Sequence, residues 1–211
     1  RTVHDSVDEL SPEGEKKYCS SLICGLLDKV DFGSDFEMQL NTFVDCRATF
    51  SRLDAVKDRL VILVCSLALR TNAIVKGKHS RRTTSFAKAC IAFCHVTIPS
   101  VRSELRRLEL MLHCAQVALQ CQCLPQTDTL LKAAISLFPK VPAHEIHPDS
   151  GQKIPSTDRL LEFIKELLSL LVLVPGHPHH GPFYIVTGLF NALPMYAWPE
   201  ASNARLKVYT E

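Results

Sequence analysis

The sequence predicts an all-α chain, and within that class a HEAT-like α-solenoid of antiparallel helix pairs. Three observations carry the prediction. Apolar residues recur at three- and four-residue spacing along most of the chain, the period of a helix buried on one side. No stretch between turn signals alternates apolar and polar residues as a half-buried strand does. Alternate helices are expected to start near residues 36, 82, 125 and 182. That repeat of roughly 45 residues, stretched once, suits stacked helical pairs. Long amphipathic helices joined by short corners also fit a bundle. Many of these helices show two apolar sides, which favours the solenoid, whose interior helices pack on neighbours before and after.

The elements follow from local signals. Ser11-Pro12-Glu13 reads as a helix start, with Ser as cap, Pro at the first position and an acid in the first turn. That helix should run to about Val30, with Cys19, Leu22, Ile23, Leu26 and Leu27 inward. A second helix is expected from about Asp35 to Phe50, and Ser51 is placed to cap a third, with Asp54 at the capping-box position. Gly77 should end the third helix. A fourth is expected from Thr83 to about Ile98, stopped by Pro99. Ser100 is placed to cap a fifth, reaching about Cys121. Leu124-Pro125 opens a sixth, to about Phe138. Residues 139–155 read as a long polar loop with four prolines. Ser156-Thr157-Asp158 starts a strongly apolar helix to about Leu173. Residues 175–181 break the chain, and a further helix is expected from Pro182 to about Leu193. A turn at residues 199–203 would precede another helix from Ala204.

Composition excludes several function classes. The 211 residues are 46% hydrophobic and 22% charged, with a formal net charge of +2. That is neither a disordered chain nor the basic footprint of a nucleic-acid binder. The apolar run at residues 60–69 is about half the length a membrane span needs, and residues 160–174 are interrupted by Glu162, Lys165 and Glu166. Both read as buried helices. The chain opens at Arg1 without a signal-peptide pattern and is expected to be one section, residues 1–211, of a longer solenoid. There are nine cysteines, an odd number. Cys24, Cys46, Cys65, Cys90 and Cys94 lie among small and apolar residues, as buried reduced thiols do in a cytosol-facing protein.

Catalytic and metal chemistry finds little support. His177, His179 and His180, with His144 and His147, are the zinc candidates. They lie in Pro-rich loops without a cysteine or carboxylate in ligand register, which favours a polar surface turn. Cys121-Gln122-Cys123 has the wrong spacing for a CxxC, and Cys90 and Cys94 sit among Phe86, Ala89 and Phe93 as core residues do. No nucleophile elbow, GxGxxG or phosphate-binding glycine loop is present. The expectation is therefore no catalytic residue, no metal and no cofactor. A Cys/His or metal enzyme is the poorer alternative.

Two basic features stand out. Lys76, Lys78, Arg81 and Arg82 form a corner that is either a solvated loop or a contact for an anionic surface. Arg47 is placed differently. At about 100° per residue it falls on the apolar arc of Phe36, Leu40, Phe43, Val44 and Phe50. A guanidinium there must snorkel out or find an acceptor. Asp54 and Asp58 on the next helix offer an internal ion pair. A partner protein offers the other answer, since arginine is enriched at interface hot spots.

The blocks NTFVDCRATFSRLDAV (residues 41–56), KGKHSRRTTSFAKACIAFCHVTIPS (76–100), HCAQVALQCQCLPQTDTLLKAAISLFPKVP (113–142) and LLVLVPGHPHHG (170–181) resemble the large scaffold subunit of Retriever, a relative of the retromer large subunit within the Commander endosomal recycling assembly. The likeness is looser before residue 40 and over residues 57–73 and 143–157. It implies a non-catalytic α-solenoid, cytoplasmic and peripheral on endosomes. It implies a role in returning cargo to the plasma membrane with the other Commander subunits. A small metallophosphoesterase-fold subunit would sit against this part of the chain, and an arrestin-fold subunit would bind outside it. Carried onto this sequence, the likeness makes Arg47 the expected partner contact, with Asn41, Asp45 and Ser51 in support. A helical-repeat adaptor for an unrelated partner or a membrane surface is the alternative.

Overall fold

The computed structural model describes residues 12–146, 152–176, 180–181 and 183–198. Eight α-helices lie among them: α1 (Glu13–Leu27), α2 (Phe36–Thr49), α3 (Asp54–Val75), α4 (Arg81–Thr97), α5 (Glu104–Gln120), α6 (Leu124–Leu137), α7 (Thr157–Leu171) and α8 (Tyr184–Ala192). The expected class holds: the chain is all-α and solenoid-like, with helices in the expected order. The Ser11 cap and the elements expected after residue 198 lie outside the described residues.

Local chemistry explains most boundaries. The Asp35 side chain accepts from the Met38 amide at 3.0 Å and caps α2. Lys76 and Gly77 close α3 in the left-handed region, at φ 51° and 73°. Two expected caps move. Ser51 does not cap α3, because residues 50–53 form a turn in which the Leu53 amide reaches the Phe50 carbonyl at 3.2 Å. Ser100 does not cap α5, because Ile98–Ser100 is a 3-10 turn. Ser103 takes that place, its Oγ accepting from the Arg106 amide at 3.1 Å.

The ends of alternate helices reveal a repeat. α4, α6 and α8 each run directly into a 3-10 turn with proline second: Ile98–Ser100, Phe138–Lys140 and Leu193–Met195. The residue before each proline and the residue two after it are buried: Ile98 and Val101, Phe138 and Val141, Leu193 and Tyr196. Proline fixes φ and lacks an amide hydrogen, so the helix ladder stops there. The flanking apolar pair turns the chain back onto the core. At the end of α2, Phe50 and Leu53 bracket the same kind of turn without proline.

The helices form two compact units, residues 12–102 with 117–127 and residues 103–116 with 128–198. In the first, α1, α2 and α4 all pack on α3. Phe43, Val56, Leu60, Val64, Ala68, Cys90 and Cys94 are fully buried there. Within this core Lys57 is only 6% exposed. Its Nζ donates to the Ser100 carbonyl at 2.5 Å and pairs with Asp54 at 2.6 Å. Asp54 in turn accepts from the Arg102 amide at 3.2 Å. The cysteines of this unit are free thiols. Burial, reinforced by neighbouring thiols, pushes Cys121 up to about 11 and raises Cys90 as well. Both are protonated at neutral pH.

In the second unit the expected polar loop contains a short antiparallel hairpin, β1 (His144–Ile146) with β2 (Lys153–Pro155), Glu145 opposite Ile154. Three residues a side leave no alternation for the sequence to show. Glu145 ties the hairpin down, accepting from Ser103 Oγ at 2.6 Å and from Arg159 at 2.9 Å. Arg159 also pairs with Glu109, which holds Arg106 at 2.9 Å. Phe138 fills the core beside Phe163 and Tyr196, at ring separations of 6.4 and 5.5 Å. Burial raises the Tyr196 phenol above its ordinary value.

Removing the Lys57 ammonium leaves the Ser100 carbonyl without its charged donor and Asp54 with Arg102 alone. Lys57→Ala is expected to lower stability by about 1.5–3 kcal/mol, read as a lower urea midpoint at unchanged slope. Arg52→Ala, at an exposed position of the same corner, should stay within about 0.5 kcal/mol of the parent. An unchanged midpoint for Lys57→Ala would contradict the assignment.

Candidate docking surface

The corner between α2 and α3 separates the four predicted contact residues. Asn41 and Asp45 are exposed, one helical turn apart on α2, and Ser51 is exposed at the turn that follows. Val44 lies between Asn41 and Asp45 on that face and is 46% exposed, so the apolar arc is narrower than the sequence suggested. Phe43, on the same arc, is fully buried.

Arg47 turns the other way. It is half-buried, and Nη2 donates to the Val96 carbonyl at 3.3 Å, in the last turn of α4. The acceptor is therefore neither Asp54 nor Asp58. Asp54 is held instead by Lys57 and Arg102. The last carbonyls of a helix lack amide partners and carry the negative end of its dipole, so a cation placed there is favourable. Arg47 on Val96 is such a cation in the last turn of α4, and Lys57 on Ser100 is its counterpart at the end of the 3-10 turn that follows. Sequence reasoning found Arg47 and missed Lys57. The signal was the same: Lys57 lies four residues after Leu53 and three before Leu60, on the buried stripe of α3.

The basic corner lies at the other end of α4. Lys76, Lys78, Arg81 and Arg82 are all exposed. Arg82 pairs with Glu37 of α2 through Nε at 3.1 Å and Nη2 at 2.8 Å, which holds the guanidinium firmly cationic. His79 Nε2 stands 3.0 Å from Asn72 Oδ1 and fixes the corner to α3. No acidic residue lies in the first turn of α4.

The concave features offer little to catalysis. An open groove of about 560 Å³ in the second unit is lined by Leu168, Leu171, Val172, Val174, Pro175, Phe183, Ile185 and Val186, with Tyr184 as the one ionisable side chain among its described residues. A smaller groove of about 230 Å³ gathers Glu109, Glu162 and Glu166 with Arg106 and Arg159. Its Glu109 is already neutralised by both arginines. Cys90 and Cys94 are buried while His95 of the same helix is exposed, so they do not form a nucleophile and base pair. His147, His177 and His179 lie outside the described residues. No helix among the described residues is long and apolar enough to cross a membrane.

Fold and surface together define the class: an all-α helical array whose exposed polar, basic and apolar residues lie along helix edges and corners. The chain belongs to the VPS35L C-terminal domain family, whose sequence model matches residues 1–211. It is 45% identical over 210 residues to a Homo sapiens protein named VPS35 endosomal protein-sorting factor-like, covering 100% of this chain and 22% of that one. Proteins of the same name in Dictyostelium discoideum and Drosophila melanogaster are 41% and 35% identical, over 212 and 209 residues. They are covered over 21% of their length, against 100% and 99% of this chain. The chain thus spans about a fifth of the length of the curated relatives it matches.

Losing a charged hydrogen bond to a helix end is expected to matter for stability. Arg47→Ala should cost about 1–2 kcal/mol in urea unfolding. Asp45→Ala, on the exposed face, should cost less than about 0.5 kcal/mol. Equal effects would contradict the inward placement of Arg47.

Proposed function

We propose that the chain is a section of a non-catalytic scaffold in endosomal protein sorting. The observation that carries this is the family match along the whole chain to relatives named as endosomal protein-sorting factor-like. In this reading the exposed edge of α2 and its corner dock a small metallophosphoesterase-fold subunit. Asn41, Asp45 and Ser51 supply polar contacts around Val44, and Arg47 holds the edge in place from beneath. An arrestin-fold subunit binds elsewhere on the longer chain. The assembly, with other Commander subunits, works on the cytoplasmic face of endosomes in returning cargo to the plasma membrane.

The four cations of the basic corner support a second contact, with the anionic lipid of an endosomal membrane. Each lysine or arginine near such a surface adds about 1 kcal/mol, screened by salt. Sedimentation with phosphatidylserine vesicles tests that contact, with binding that falls as salt rises.

Titration of the full chain with the metallophosphoesterase-fold subunit tests the docking edge. Asp45→Arg and Asn41→Arg should each weaken binding at least about tenfold, roughly 1.4 kcal/mol, with unchanged unfolding midpoints. Parent-like affinity in both variants would remove the edge from the interface.

A further inference from the structure

The basic corner carries a hydroxyl that no role above uses. Ser80 is exposed and precedes α4, with backbone at φ −77° and ψ 169°, an extended conformation. Lys78 stands two residues before it, and Arg81 and Arg82 follow directly. With Lys76 these make four exposed cations around one exposed hydroxyl. Only Glu37, on Arg82, is seen to offset them among the described residues. The amides that open α4 face the same place, and no acidic side chain occupies its first turn.

We infer that Ser80 is a phosphorylation site for a basophilic serine/threonine kinase, one that takes cations on both sides of its acceptor. The kinase supplies Mg-ATP and a catalytic carboxylate. Ser80 Oγ attacks the γ-phosphorus, and its proton passes to that carboxylate. The new Oγ–P bond forms as the bond from phosphorus to the β,γ-bridging oxygen breaks, and ADP leaves. The extended backbone of Ser80 suits entry into such a site. Its neighbours suit it less: Ser85 Oγ donates to the Arg81 carbonyl at 2.9 Å within α4, and Thr84 is half-buried on the helix.

The product fits where it forms. A phosphoserine brings about −1.5 to −2 charges and three acceptor oxygens to a helix start ringed by cations. It replaces the weak cap in which Ser80 Oγ accepts from the Thr83 amide at 3.3 Å. Counting Lys76, Lys78, Arg81 and Arg82 against Glu37, the corner falls from +3 to about +1. Phosphorylation would therefore release the corner from anionic lipid. That consequence rests on the membrane contact proposed above; the modification itself does not.

The test incubates the full chain with Mg-ATP and the catalytic domain of a lipid-activated basophilic kinase, and maps phosphate by peptide mass spectrometry. Phosphate should approach one per chain at Ser80. It should vanish in Ser80→Asn, which keeps a capping oxygen and should melt with the parent. It should fall at least fivefold in Lys78→Ala with Arg82→Ala. Phosphate on Thr83, Thr84 or Ser85 with Ser80 bare would overturn the assignment, as would no incorporation at all. Against phosphatidylserine vesicles the phosphorylated chain should bind at least tenfold more weakly than the unmodified one. If the unmodified chain does not bind, the membrane contact fails while the mapped phosphate still decides the site.

Discussion

The first unit depends on how the open end of α4 is closed. The last carbonyls of a helix have no amide partners, and leaving them buried and unpaired is costly. Here two cations from elsewhere in the chain meet that end. Arg47 of α2 takes the Val96 carbonyl, and Lys57 of α3 takes the Ser100 carbonyl just beyond. Asp54 balances Lys57 and also receives the Arg102 amide. Three segments, around Arg47, around Asp54 and Lys57, and at residues 96–102, are thereby fixed at one place by directional bonds, where apolar packing alone would tolerate sliding.

This closure also explains the exposed side of the corner. With Arg47 turned inward and Phe43 buried, α2 has one rotation left, and it presents Asn41, Val44 and Asp45 outward. The edge is set by groups behind it. A substitution behind the edge acts on its position and on stability. A substitution on its face acts on contact alone.

Helix order, most helix ends and the all-α class were legible in the sequence because each rests on short-range chemistry. Gly77, Pro99 and Pro125 act on their immediate neighbours. Arg47 was legible as a misplaced charge, but its acceptor was not, since a backbone carbonyl 49 residues away has no sequence signature. Lys57 carries the same signal, a charge on the buried stripe of α3, and its acceptor, a carbonyl 43 residues away, is equally invisible in the sequence. Val44 lies on the apolar arc yet is exposed, because helical spacing gives a face but not its width. Leu22 and Leu26, expected inward, are 47% and 66% exposed on α1 for the same reason. Caps failed at Ser51 and Ser100 because a turn intervened before the helix. The hairpin was invisible because three-residue strands have no period to detect.

Amide hydrogen exchange on the full chain tests the closure of α4 most directly, comparing the parent with Lys57→Met. The closure predicts faster exchange at residues 41–55 and 96–103, with the amides of α7 unchanged. Exchange that rises evenly across both units, or does not change at residues 41–55, would contradict it.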